Sequence, residues 1–435
     1  MRELVIRGGR LLDPRAGIDG VQDLLLRGGE VAEVGQSLAA PEGAEVVEAE
    51  GLLCVPAFVD PHVHLRTPGR EDEEDIDSGT RAAAAGGFCQ IIAQPNTDPV
   101  VDRAPVLAAL RERARREARI PTGFMAAVTV GQDGEALTEM ADLADTGAAG
   151  FTDDGHPVAR AGILRQALQY QKLAGRLIAL HEEDPTLSGD GVMHEGAVSA
   201  LLGMAGIPSI SESVMIARDA TIAQYEDAAI HIQHLSARES VLAVEQAKAA
   251  GIAITCEASP HHLCLTDDAV RTLDASFKMN PPLRSESDRQ ALIEGLRSGT
   301  VDCIATDHAP HSREEKEQPF ETAPMGVTGL ETAFAAVHTE LVLPGVLPLE
   351  LVVERMTAGG APFGLTVPSL APGSAANVTL IDTDSEWQVG EAGYESRSAN
   401  CAFAGRRLTG RVRMTIAAGA VAYRERSFAI GAVPA

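Results

Sequence analysis

Leu52-Leu53-Cys54-Val55-Pro56-Ala57-Phe58-Val59-Asp60-Pro61-His62-Val63-His64-Leu65-Arg66 is an apolar run that ends in imidazoles and a guanidinium. The run from Leu52 to Val59 reads as a buried strand. Side chains alternate along a strand, so His62 and His64 project to one side at its C-terminal end. Two imidazoles placed in that way can grip one metal ion. Arg66 continues on the same face, where its guanidinium can hold an anionic group beside the metal.

Outward from this stretch the pattern repeats. Residues 56 to 372 alternate strand-like apolar runs with helical segments. The strands fall at 57–64, 88–94, 124–130, 148–152, 177–181, 229–235, 252–257 and 301–306, with helices such as Ala104 to Ala118 and Ser240 to Ala250 between them. Eight strands alternating with helices predict an α/β fold, a parallel (β/α)8 TIM barrel. The alternative, an open doubly wound sheet, lacks a glycine-rich dinucleotide fingerprint after its first strand. Residues 1–55 and 373–435 instead read as short strands and turns. Leu4-Val5-Ile6, Asp23-Leu24-Leu25-Leu26 and Val31-Ala32-Glu33-Val34 lie at one end; Asn377 to Asp382, Val412 to Ile416 and Ala420 to Tyr423 lie at the other. The two ends predict one small β-sandwich domain flanking the barrel. Arg111 to Arg119 is a charge run that reads as a solvated helix face.

Composition narrows the function. A net charge of −26 over 435 residues argues against a nucleic-acid partner and against an anionic membrane surface. Only Lys172, Lys248, Lys278 and Lys316 are lysines among 36 basic residues. The six cysteines form no C-x-x-C pair and read as buried, reduced thiols. The N-terminus lacks the apolar core of a signal peptide, and no apolar run approaches the ~18 residues of a membrane helix. A soluble, cytoplasmic protein is expected.

The chemistry-bearing residues gather at the predicted strand ends, where barrel enzymes build their sites. Strand two ends in Gln94-Pro95-Asn96-Thr97, strand four in Phe151-Thr152-Asp153-Asp154-Gly155 and strand five in Leu180-His181-Glu182-Glu183-Asp184. Strand six ends in His231-Ile232-Gln233-His234, and strand eight in Ala305-Thr306-Asp307-His308-Ala309-Pro310-His311. One histidine at a strand end is more often structural than not. Several opening onto one mouth supply enough imidazoles and carboxylates for two divalent ions ~3.5–4 Å apart. His231, three residues before His234, is expected on the opposite side of its strand and outside the site. His261 and His262 end strand seven, where they can support the ligands. His156, His194 and His338 have no supporting context.

These residues carry a resemblance. Asp60 to Pro68 is similar to the first signature of dihydroorotases, and Ala305 to His311 followed by Lys316 is similar to the second. Between and beyond them, Pro95-Asn96-Thr97, Phe151 to Gly155, Asn280-Pro281-Pro282-Leu283-Arg284 and Met325 to Thr332 resemble bacterial class I dihydroorotases in order and spacing, over nearly the whole chain. The resemblance implies two zinc ions per subunit. His62, His64 and Asp307 would hold one, and His181 and His234 the other. Many relatives bridge the ions with a carboxylated lysine on strand four. No lysine precedes Lys172 here, so Asp154 takes that place, with Asp153 the less favoured neighbour. Arg66, Asn96, Asn280 and His311 would bind the substrate carboxylate, with His64 beside them, and the backbone of Met325 and Gly326 would contact the pyrimidine ring. The implied reaction is the reversible cyclisation of N-carbamoyl-L-aspartate to L-dihydroorotate in pyrimidine (UMP) biosynthesis, with Asp307 as general base and then acid. Other cyclic-amide hydrolases (hydantoinase, dihydropyrimidinase, allantoinase) and a non-catalytic scaffold for aspartate transcarbamoylase are the rival readings. A homo-oligomer, a dimer, is expected, and a complex with aspartate transcarbamoylase stays open.

Overall fold

The computed structural model describes residues 3–426 and 428. It splits the opening stretch at Ala57. Leu53–Pro56 runs in one sheet and Phe58–Val63 in another, and both are buried along their whole length.

Leu53–Pro56 is the seam between the two ends of the chain. It lies parallel to Leu4–Asp13 on one side and antiparallel to Val378–Gln388 on the other. The sheet runs in the order Ala420–Arg424, Arg407–Ala417, Val378–Gln388, Leu53–Pro56, Leu4–Asp13, Ile18–Arg27, Glu30–Gly35, and Glu45–Glu48 also pairs with Leu4–Asp13. Arg27 faces Glu30 across Gly28 and Gly29, both left-handed, which gives the two-residue hairpin its strand-matching twist. Ile6, Leu11, Leu24, Val31, Val47, Leu380, Met414 and Ile416 enclose an apolar interior belonging to this sheet. Residues from both termini therefore build it together, as expected.

Phe58–Val63 begins the barrel. Parallel neighbours follow in chain order: Phe88–Ala93, Thr122–Phe124, the single bridging residue Phe151, Ile178–Leu180, Ile230–Ile232, Ile254–Ala258 and Cys303–Ile304. The ring closes where Val63 bridges His308 and the His64 amide donates to the His308 carbonyl at 2.8 Å. Helices including Ala104–Glu117, Ala161–Ala174, Ile210–Glu226, Arg238–Ala249 and Glu286–Ser298 bury apolar residues against its outside. The fold class is the expected TIM barrel with a terminal β-sandwich.

Several strands are shorter than their apolar runs. The third, expected at 124–130, lies at Thr122–Phe124, because the chain turns helical at Val130–Gln132 around left-handed Gly131. The fourth, expected at 148–152, contracts to Phe151, which pairs with both Ala126 and Ile178. The eighth, expected at 301–306, pairs only over Cys303–Ile304. A hydrophobic run reports burial, whereas a ladder needs aligned backbone. At the mouth the chain leaves the ladder and turns its polar side chains toward the barrel axis. Among the described residues, no helix is long and apolar enough to cross a membrane.

Candidate metal centre and active site

His62, His64, Asp154, His181, His234 and Asp307 converge at the C-terminal mouth, all buried. His62 Nε2 lies 3.5 Å from both Asp154 Oδ1 and Asp307 Oδ1. His64 Nε2 lies 3.2 Å from Asp307 Oδ1 and 3.4 Å from Asp154 Oδ2. Asp154 Oδ1 is 3.4 Å from His234 Nε2 and 3.7 Å from His181 Nδ1, and those two nitrogens are 2.9 Å apart. Two overlapping sets have metal-ligand spacing: His62 with His64 and Asp307, and His62 with Asp154 and His234. His62 has metal-ligand spacing in both sets.

The donor set fits a cation. His62 Nε2 and Asp154 Oδ1 are buried with no hydrogen-bond partner among the described residues, and each such orphan is costly unless something else satisfies it. Burial opposes charge on His62, yet Asp154, Glu257 and Asp307 together hold its pKa well above the usual histidine range. Burial likewise opposes charge on Asp154 and Asp307, and the surrounding imidazoles overcome it and hold both below the carboxylate range. Imidazoles and carboxylates crowded this closely ask for shared positive charge, which protons or metal ions can provide.

Backbone shape puts the ligands there. Arg66, His234 and Asp307 have φ of +51°, +32° and +48°, a region non-glycine residues seldom visit. Strand alternation accordingly stops short of them. Arg66 is placed by a turn beyond Val63, not by continuing the strand face. His231, expected on the opposite side, lies on the paired strand Ile230–Ile232 and faces inward as well, because the left-handed residue that breaks the alternation is His234 beyond it. Its ring lies inside the barrel against Phe363, one layer beneath the mouth, with Nδ1 2.8 Å from Thr255 Oγ1 and Nε2 3.1 Å from Glu257 Oε2. Glu257 also takes the Nδ1 side of His62 at 2.5 Å, which fixes the tautomer that presents Nε2 to the cluster. Sequence reading passed over Glu257, although a carboxylate closing a buried apolar strand was a usable signal.

Asp153 and Asp154 part company. Asp153 accepts from the amides of Val128 and Thr129 and from the Thr129 hydroxyl, so it shapes the turn, while Asp154 faces the histidines. His261 and His262 share the Ser259 hydroxyl, and His262 Nε2 donates to the Pro281 carbonyl at 2.9 Å, which ties down the loop of Asn280. Neither belongs to a metal-spaced group among the described residues.

The residues expected around the substrate line the same mouth. Asn96 Oδ1 accepts from His64 Nδ1 at 2.8 Å. Asn280 Nδ2 donates to Glu183 Oε2 at 2.6 Å. Arg66 Nε donates to the Pro310 carbonyl at 3.0 Å, and its Nη2 lies 3.3 Å from His311 Nε2. Gly326 has φ +136°, and a Cβ there would stand 2.8 Å from the Ala309 side chain and 2.9 Å from His311 Nε2. Its amide donates to the Lys278 carbonyl, and its carbonyl accepts from Lys316 Nζ and Asn400 Nδ2. The Met325 carbonyl faces His311. These three backbone groups, expected on the ring, have protein partners here.

Comparison with known proteins gives the family. The sequence pattern of the family described as "Dihydro-orotase-like" matches residues 51–240. The chain is 44% identical to the dihydroorotase of Geobacter metallireducens over 97% of its own length and 99% of that protein. It is 45% identical to the dihydroorotase of Pelotomaculum thermopropionicum over 98% and 99%. The chain belongs to the dihydroorotase family. Among solved structures, the L-hydantoinase (dihydropyrimidinase) of Arthrobacter aurescens superposes with a TM-score of 0.87 at 24% identity, covering 98% of this chain and 96% of that one. The dihydropyrimidinase of Brevibacillus agri NCHU1002 superposes with a TM-score of 0.85 at 23% identity over the same shares. At that identity the superpositions speak for the fold. The dihydroorotase relatives speak for the family.

Proposed function

We propose that this family member interconverts N-carbamoyl-L-aspartate and L-dihydroorotate with two zinc ions held by His62, His64, Asp154, His181, His234 and Asp307. The observation that carries the reading is Arg66, a largely buried guanidinium two residues beyond His64. Glu73 takes its Nε side at 3.3 Å, and the rest of the guanidinium suits the carboxylate that dihydroorotate brings and an uncharged ring lacks. Divalent ions in the cluster supply a water that ionises near neutral pH and a Lewis acid for the amide carbonyl; cobalt and manganese suit the same ligand types. Asp307 is held ionised, with Oδ1 toward His62 and His64, so Oδ2 is left to take the proton of the attacking water and return it to the departing ring nitrogen. Arg66, Asn96, Asn280 and His311 orient the substrate carboxylate, and the loop at Met325–Gly326 borders the ring.

Ring closure consumes a proton, because a carboxylate becomes a neutral carbonyl. The equilibrium is therefore expected to shift toward dihydroorotate as pH falls, and a ratio independent of pH would refute the assigned reaction. Turnover of dihydroorotate compared with hydantoin, dihydrouracil and allantoin tests the substrate class, and preference for an uncharged ring would favour the hydantoinase reading. Six free cysteines, five of them buried, support a reducing, cytoplasmic setting.

A further inference from the structure

Glu73 lies on the loop after the first barrel strand, is only 2% exposed, and has been given no role above. Three side chains able to carry positive charge converge on its carboxylate. Arg70 Nη2 is 2.9 Å from Oε1, His311 Nδ1 is 3.3 Å from Oε1, and Arg66 Nε is 3.3 Å from Oε2. Glu315, from the short helix Arg313–Lys316, completes a ring, with Oε2 3.3 Å from His311 Nδ1 and Oε1 2.7 Å from Arg70 Nη2. Loops from the first and last barrel strands are thereby clasped at the barrel seam.

The ring orients His311. Its Nδ1 faces two carboxylate oxygens, which when ionised only accept, so Nδ1 carries a hydrogen toward them. Its Nε2 edge meets the Arg66 Nη2 donor at 3.3 Å and the Met325 carbonyl at 2.9 Å, which sets the ring against the guanidinium. The charged groups around it are Glu73, Glu315 and Arg66, with Arg70 behind the two carboxylates. Glu73, His311 and Glu315 have metal-ligand spacing too, but Arg66 and Arg70 already engage these carboxylates, and an ion would have to displace them.

We propose that Glu73 is the positioning residue of the anion clamp: its carboxylate anchors the Arg66 guanidinium and, with Glu315, orients the His311 ring, so that both side chains are aimed at the substrate carboxylate. The proposal rests on the reading above that Arg66 and His311 bind that group. In the metal-loaded enzyme, Glu73→Gln raises KM for dihydroorotate about ten-fold, the worth of one charge-assisted contact, while kcat stays close to that of the unaltered enzyme. Hydrolysis of dihydrouracil, which lacks the carboxylate, is unchanged. Glu73→Asp recovers part of the loss and, should Glu73→Gln fail to fold, is read alone against the unaltered enzyme, with a smaller rise in KM for dihydroorotate and none for dihydrouracil. An unmoved KM in both variants, or equal losses on both substrates, overturns the proposal. An unaltered enzyme that does not prefer dihydroorotate to dihydrouracil overturns the functional reading instead.

Discussion

Glu257 is the residue on which the metal cluster depends without belonging to it. It holds His62 from one side and His231 from beneath, and burial would raise its pKa were it not for those imidazoles, which bring it down to about 2. Replacing it by Gln leaves the shape and removes the charge that orients His62. Metal affinity is expected to fall ~10–100-fold, read as metal retained after dialysis against a competing chelator. Asp307→Asn should act differently: it keeps much of its metal, because four imidazoles and Asp154 remain, yet loses turnover by about 10³-fold, because an amide cannot take the proton. Elemental analysis paired with a dihydroorotate assay separates the two variants. The histidines and Asp154 were legible in the sequence because imidazoles and carboxylates are unusual at the ends of buried strands. Glu257 closes such a strand too, and its signal was there to be used; Glu73 was not legible, since a single carboxylate in an acidic loop carries no pattern until the chain has folded around it.

At the level of elements, the ligands owe their convergence to strand ends that leave the ladder. Alternation explained His62 and His64, which flank Val63 at the end of a true strand. It failed for Arg66 and His234, where left-handed backbone replaces pleat. The segment that returns toward the mouth is equally constrained. Gly326→Ala puts a methyl group onto the Ala309 side chain and the His311 ring at a φ that alanine avoids. It should cost about 1–3 kcal/mol of stability and raise KM for dihydroorotate more than it lowers kcat, as thermal melts and steady-state kinetics would show. Lys316 pins this segment through the carbonyls of Lys278, Pro324 and Gly326. Burial, with a contribution from Lys278, lowers its pKa from 10.5 to about 7. Between those values the folded protein binds fewer protons than the unfolded chain, so this group makes stability rise with pH across that window. Lys316→Met should flatten that rise in denaturant titrations at successive pH values, and an unchanged slope would contradict the burial of a titrating amine.

At the scale of the whole molecule, the cluster is a stability problem that ions bound there would resolve. Orphaned Nε2 and Oδ1 atoms, crowded carboxylates and left-handed backbone all lie together at the mouth of the barrel. Ions that bind only the folded state stabilise it by about 2.7 kcal/mol per site at a hundred-fold excess over Kd. Chelation is therefore expected to lower Tm by several degrees and zinc to restore it; a Tm indifferent to chelator would place the ions elsewhere. The barrel itself was legible from eight apolar runs at regular intervals, and the terminal sheet from short strands without helices. Strand lengths were not, because a run of apolar residues marks what is buried and says little about which amides align. The seam at Leu53–Pro56 has a further consequence, for how the chain is made. Its neighbour on one side, Leu4–Asp13, leaves the ribosome before it, while its neighbour on the other, Val378–Gln388, follows more than three hundred residues later. Throughout that interval the strand leading directly into the metal site presents an unpaired edge, the kind that recruits other chains. Val378–Gln388, which supplies no candidate ligand, closes that edge and so guards the nascent enzyme against joining its neighbours.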